Sequence, residues 1–300
     1  MLKMERILYR ENLLTAPQLS GIIVPLMTPF KRTDDGQGKT VDTASQDLLI
    51  KRLVAAGVHG IFLGGNAGEG RQMDVANWKL SINSGIESVR STDAHIPVVV
   101  GVLRKDLKEV VSLALYAQKQ GADALVLAPG FTEADIYDTR NKVMQATNIP
   151  IVLYNNPEFH GDRSDLDDGK NLPITFIGNS AKSERIIGVK DTSRSLTYLA
   201  QLLKYRDPNS FHVFQGNTEG NGYINEISAD CDGMVPVEAN VYPEALVKLW
   251  ENGDSNDLYK VLEYFKQHTE ESGGTLRLIK KLLNDPNDRV LATAMMYEDE

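Results

Sequence analysis

The sequence predicts an α/β protein, a (β/α)8 TIM barrel with extra C-terminal helices. Three observations lead there. Eight short apolar runs recur along the chain, stretches with helical spacing lie between them, and the runs end in polar or glycine-rich turns. Apolar runs of this length read as strands buried on both faces, and strands alternating with helices give a parallel sheet. Closing such a sheet makes a barrel, which typically needs about 250 residues; this chain has 300. An open, doubly wound sheet is the competing arrangement.

The elements follow in order. Residues 1–20 read as a polar N-terminal arm with scattered leucines and Pro17. The runs are Gly21–Leu26, Val58–Leu63, Ile96–Val102, Asp123–Ala128, Ile149–Tyr154, Ile186–Lys190, Phe211–Gln215 and Asp232–Val237. Asp106 is placed to cap a helix whose Val110, Val111, Ala114 and Leu115 share one face. Glu133–Thr147 and Leu196–Tyr205 read as further helices, whereas Asp162–Ser183 is broken by Gly169 and Pro173 into a loop and a helix start. The barrel therefore spans 21–252. A helical extension, 253–300, holds helices at Leu258–Thr269 and Thr275–Leu283 and a last apolar run at Val290–Met296.

Composition narrows the function. A formal charge of -9 and a pI near 5.2 argue against a general nucleic-acid binder. Cys231 is the only cysteine, so no internal disulfide framework exists. The first residues lack a signal-peptide pattern, and no apolar run approaches the ~18 residues of a membrane span. A cytoplasmic protein is the expectation. His59, His95, His160, His212 and His268 are scattered without metal-ligand spacing. The acidic run Asp165, Asp167, Asp168 lacks a calcium loop's spacing, and no G-x-S-x-G elbow occurs. No metal and no cofactor are expected.

In a (β/α)8 barrel the chemistry sits where the strands end. Lys190 ends the sixth run. Burying an ammonium ion is costly, amines taken out of water release their proton more readily, and a neutral amine attacks carbonyls. A lysine ion-paired with Asp191 or another acid is the plainer alternative. Tyr154 ends the neighbouring run, where a phenol could carry protons to and from a carbinolamine; a core tyrosine is its alternative. The turn 64–70 supplies glycines that let backbone N–H groups converge on a carboxylate, or simply a tight strand-to-helix turn. It matches neither the P-loop nor the dinucleotide fingerprint. Arg104 is a candidate for a distal carboxylate, and Glu69 either orients the turn or starts a helix.

With these residues in view, the chain resembles the dihydrodipicolinate synthase / N-acetylneuraminate lyase family of class I aldolases over roughly residues 21 to 250. Gly21 to Phe30 resembles the family's opening strand, Leu153-Tyr154-Asn155-Asn156-Pro157 its tyrosine motif, and Gly188-Val189-Lys190-Asp191-Thr192 its Schiff-base motif. Gly65–Glu69 and Ala239-Asn240 with Pro243 match as well. The resemblance implies Lys190 and Tyr154 as catalytic residues, pyruvate or another 2-oxo acid as the electrophile, no metal, and a homo-oligomer, dimer or usually tetramer.

The departures bear on the reaction. Where the family usually has two adjacent hydroxyl residues, this chain has Asn66 and Ala67 within Gly65–Gly68. Phe131 stands where the synthases place a relay tyrosine from a neighbouring subunit, and Phe159 where they use an arginine for a substrate carboxylate. An apolar Phe159 is similar to the sugar-acid lyases. Thr192 and Glu219 fall where that branch contacts substrate hydroxyls. The expected function is a Schiff-base-forming aldolase or dehydratase acting on pyruvate or a 2-oxo acid such as a 2-keto-3-deoxy sugar acid. The alternatives are a dihydrodipicolinate synthase-like enzyme with an altered relay, a non-catalytic oxo-acid-binding barrel, and a phosphate-binding barrel supported only by the glycine turn.

Overall fold

The computed structural model describes residues 15, 18–33, 36–159, 166, 170–216, 230–253 and 263–284. Eight parallel strands close into a barrel: β1 (Gly21–Pro25), β4 (Gly60–Leu63), β5 (Val98–Gly101), β6 (Ala124–Leu127), β7 (Ile151–Asn155), β8 (Ile186–Asp191), β9 (His212–Gln215) and β10 (Gly233–Met234). A small antiparallel pair, β2 (Phe30–Arg32) and β3 (Lys39–Val41), lies outside it. Each of the eight expected runs coincides with one barrel strand, β7 and β8 each ending one residue past theirs, and β1 pairs with both β4 and β10, so the sheet is closed rather than open. The last run is trimmed most: of Asp232–Val237 only Gly233–Met234 is strand.

The strands are apolar throughout because both faces are covered. Ile22, Val24, Ile61 and Leu63 point outward into the layer shared with the helices, whereas Ile23, Phe62, Val99, Val126, Val152 and Phe214 fill the barrel interior. Leu19 packs with that interior, and its carbonyl meets His212 Nδ1 at 3.1 Å, where the strands begin.

Side-chain caps start most of the helices. Asp42 caps α1 (Thr43–Ala55), Asp74 caps α2 (Val75–Arg90) and Asp106 caps α3 (Leu107–Gln120), each carboxylate accepting a backbone N–H three residues on. Asp135 does the same for α4 (Ile136–Ala146), which is why that helix begins later than Glu133. The broken interval yields α5 (Ile174–Ser180), and Ser195 caps α6 (Leu196–Leu202), which runs on as a 3-10 turn to Tyr205. Pro243 opens α7 (Pro243–Asn252), residues 263–268 are helical, and α8 (Thr275–Asn284) follows. Within the expected C-terminal helix Leu258–Thr269, the first residues lie outside the described part, as do the arm through residue 14, Asp165, Asp167, Asp168 and Val290–Met296.

One irregularity sets the geometry of the mouth. Ile151 pairs with Ile186 but Val152 pairs with Gly188, so β8 carries one extra residue. In a regular strand, residues three apart face opposite sides. Because of this bulge, Ile187 and Lys190 both face the interior, where Ile187 packs in the core and Lys190 lies over Phe62.

Gly188 has no room for a side chain, since a β-carbon there would sit 2.5 Å from the His212 carbonyl oxygen of β9. Gly188→Ala should therefore force β8 and β9 apart and cost about 1–3 kcal/mol. Thermal unfolding should show a lower Tm, and an unchanged Tm would contradict this packing.

Candidate active site

Tyr154 and Lys190 are register partners on adjacent strands. Both are buried, at 2% and 7% exposure. The Lys190 amine lies 4.0 Å from the centre of the Tyr154 ring and 5.5 Å from that of Phe62. The alternative of a Lys190–Asp191 ion pair is not realised. Asp191 faces the other side of β8, where its carboxylate accepts from Asn155 Nδ2 at 2.8 Å, Ser193 N at 3.1 Å and Ser193 Oγ at 2.7 Å. Burial raises the Asp191 carboxyl above its ordinary range, against the opposing pull of those bonds and of Lys190. Among the described residues no carboxylate lies within ion-pair distance of the Lys190 amine. The Tyr154 oxygen accepts from Asn156 Nδ2 at 3.1 Å, which leaves its own O–H free to donate.

The glycine turn borders the same side chains. Gly65 rests against the Phe62 ring, on which Lys190 also lies. Within the turn, Glu69 N donates to Asn66 O and Gly70 N to Gly65 O, while the N–H groups of Asn66, Ala67 and Gly68 find no acceptor among the described residues. Three unfilled donors in one tight turn suit an anion. The Ala67 methyl points elsewhere, into a cluster with Met27, Tyr242, Leu278 and Ile279.

Two buttresses hold the turn. Arg104 was a candidate for a substrate carboxylate, and the structure corrects this. Its guanidinium is buried and donates to the carbonyls of Gly70, Leu103 and Met73 and to Glu109. Glu69 neither caps nor begins a helix: it adopts a left-handed backbone, with φ of 59°, and pairs with Lys280 of α8. Asn240 ties the end of β1 to the stretch before α7, accepting from Met27 N at 2.9 Å and donating to the carbonyls of Pro25 and Val237. A cavity of about 710 Å³ opens behind the turn among Thr28, Glu69, Asn77 and Lys280, away from Lys190 and Tyr154.

The remaining residues form the rim. Phe159 meets Tyr154 edge-on at 5.4 Å and Phe131 at 5.4 Å. Arg71, which the sequence reading passed over, stacks on Phe159 at 4.3 Å and donates from Nε to Asn66 Oδ1 at 3.0 Å. Thr192 Oγ1 is buried without a hydrogen-bond partner among the described residues. Gly216 lies so close to Thr192 Oγ1 and Lys190 Cε that a β-carbon would collide with both, so the strand-end glycine makes room for the amine. Glu219 lies outside the described residues. Cys231 is no rival nucleophile, because burial pushes its thiol up to about 12.

A closed parallel barrel with a buried amine and phenol at its mouth has the form of a lysine-dependent lyase. The Dihydrodipicolinate synthetase family model matches residues 18–299, and the chain belongs to that family. It is 31% identical to the probable 2-dehydro-3-deoxy-D-pentonate aldolase YjhH of Escherichia coli, over 79% of this chain and 76% of that one. It is 28% identical to 4-hydroxy-tetrahydrodipicolinate synthase of Methanopyrus kandleri, over 82% and 78%. Among solved structures, dihydrodipicolinate synthase from Bacteroides thetaiotaomicron superposes with a TM-score of 0.70 at 26% identity, covering 84% of this chain and 81% of that one. As a member of this family, the protein is a class I lyase.

Arg104→Leu tests the buttress. It leaves the Gly70 and Met73 carbonyls without their donor, and buried charge-assisted bonds are worth about 1.5–3 kcal/mol each. Denaturant unfolding should show a loss of about 3 kcal/mol, and binding of pyruvate should weaken with it. Wild-type stability in the variant would show that the turn stands without Arg104.

Proposed function

We propose that the protein is a Schiff-base aldolase or dehydratase acting on a 2-oxo acid such as a 2-keto-3-deoxy sugar acid, with Lys190 as nucleophile and Tyr154 as proton carrier. One observation carries the reading: a buried lysine amine, without an anionic partner among the described residues, faces the ring of a tyrosine whose O–H is free to donate. The relatives named as synthase and as sugar-acid aldolase support the same chemistry.

The sequence of steps follows from the arrangement. The substrate's C1 carboxylate settles on the N–H groups of Asn66, Ala67 and Gly68, with Gly65 providing close approach. The Lys190 amine attacks C2. Tyr154 delivers a proton to the departing oxygen, water leaves, and an iminium ion forms. In cleavage, that cation accepts the electron pair of the C3–C4 bond; the C4 hydroxyl loses its proton to become the product carbonyl, and the resulting enamine takes a proton at C3. In dehydration, it accepts the pair left when C3 loses a proton, before the C4 hydroxyl departs as water. Phe159 and Phe62 keep water from the iminium, and Thr192 Oγ1 offers a hydrogen bond to a substrate hydroxyl, with Glu219 as a further contact. Hydrolysis of the imine restores Lys190. Ala67 removes a side-chain hydroxyl but not the backbone donors, which is why we favour an active enzyme over a non-catalytic barrel.

We take 21–252 as the catalytic barrel, with the arm (1–20) and the extension (253–300) as surfaces for a homodimer or homotetramer. No helix among the described residues is long and apolar enough to cross a membrane. A cytoplasmic location is part of the same proposal.

Lys190→Ala should abolish cleavage of 2-keto-3-deoxy acids while keeping the wild-type fold by circular dichroism. Tyr154→Phe should form the imine only slowly and lower kcat by about 10²–10⁴. Turnover near wild type in Lys190→Ala would sink the assignment.

A further inference from the structure

We propose that Arg71 reads the far end of the substrate, and that the preferred substrates are dicarboxylic 2-oxo acids whose second carboxylate it binds. The inference rests on the Schiff-base reading and names the substrate class for that site.

The mouth holds two basic side chains, each over its own pair of aromatic rings. Lys190 lies over Tyr154 and Phe62, and Arg71 lies over Phe159 at 4.3 Å and Phe131 at 5.3 Å. Arg71 is partly buried, and burial works against its charged form, opposed by the fields of Tyr154 and Glu158. It forms no ion pair among the described residues, for the nearby Glu158 is matched with Arg194 at 4.0 Å. Its Nε donates to Asn66 Oδ1, whereas its two terminal nitrogens have no acceptor among the described residues. A guanidinium lying over both rings and oriented through Nε keeps its two terminal nitrogens for an acceptor, and a carboxylate matches that fork.

The position favours the distal acid group over C1. Three backbone donors of the turn already suit C1, whereas Arg71 lies over the rim rings Phe159 and Phe131, one ring removed from Tyr154. A substrate ending in a hydroxymethyl group would leave a partly desolvated cation with only the fields of Tyr154 and exposed Glu158, and with no acceptor for its terminal nitrogens among the described residues. One ending in a carboxylate supplies that acceptor.

The test compares two substrates that differ only at C5: 4-hydroxy-2-oxoglutarate, which ends in a carboxylate, and 4,5-dihydroxy-2-oxopentanoate, which ends in a hydroxymethyl group. The wild type should prefer the dicarboxylate. Arg71→Met should cut that preference by about 10–100-fold, chiefly through KM, and Arg71→Lys should restore part of it. A wild type indifferent to the C5 group overturns the proposal, as does an Arg71→Met variant that loses kcat equally on both. Borohydride reduction with pyruvate separates the two levels. An adduct on Lys190 without a C5 preference defeats this inference alone, and no adduct with any of the three acids defeats the Schiff-base reading and this one together.

Discussion

The mouth of this barrel depends on a single extra residue in β8. Parallel closure brings all the strand ends to one rim, but it does not decide which side chains turn inward. The shift between Ile151 and Val152 does so for β8, placing Lys190 rather than Asp191 over Phe62 and opposite Tyr154. Asp191 is thereby sent to the other face, where Asn155 and Ser193 satisfy it. The alternation along the strand then keeps the amine and the nearest carboxylate in sequence on opposite faces. Gly188 and Gly216 are consequences of the shift, because both give way to backbone or side chain pressed close by the bulged strand.

Around that centre, rigidity is imported from distant parts of the chain. The glycine turn has few apolar contacts of its own, so Arg104 ties it to the start of α3 and Glu69 ties it to α8. Ala67 adds a methyl to the cluster formed with α8, linking the C-terminal extension to the turn through packing. The extension therefore does more than cover the barrel: it holds the donors of Asn66–Gly68 in place. Preorganised donors of this kind are effective because they need no rearrangement when charge arrives.

Much of the fold was legible because its signals are local. Barrel strands are apolar on both faces, so Ile186–Lys190 and Phe211–Gln215 stand out against their polar flanks, and Asp106 announces α3. The pair β2 and β3 carries no such signal: Lys31, Arg32 and Lys39 are exposed, and the strands are three residues long. At the site, the adjacency of Tyr154 and Lys190 follows from the order of the strands. What Arg104 and Arg71 do does not. Arg104 follows a strand and looks like a ligand group until its three carbonyl partners are known, two of them more than thirty residues back along the chain. Arg71 acquires meaning only from Phe131 and Phe159, which meet it through the closure of the barrel. Long-range polar contacts leave no periodicity to read.

The central claim is that Lys190 is the amine that forms an imine with a 2-oxo acid. Borohydride reduction in the presence of pyruvate, followed by intact mass and peptide mapping, tests it most directly. The account predicts one stable adduct per chain, located on Lys190. An adduct on another lysine, or none from folded protein with pyruvate or longer 2-oxo acids, would contradict it.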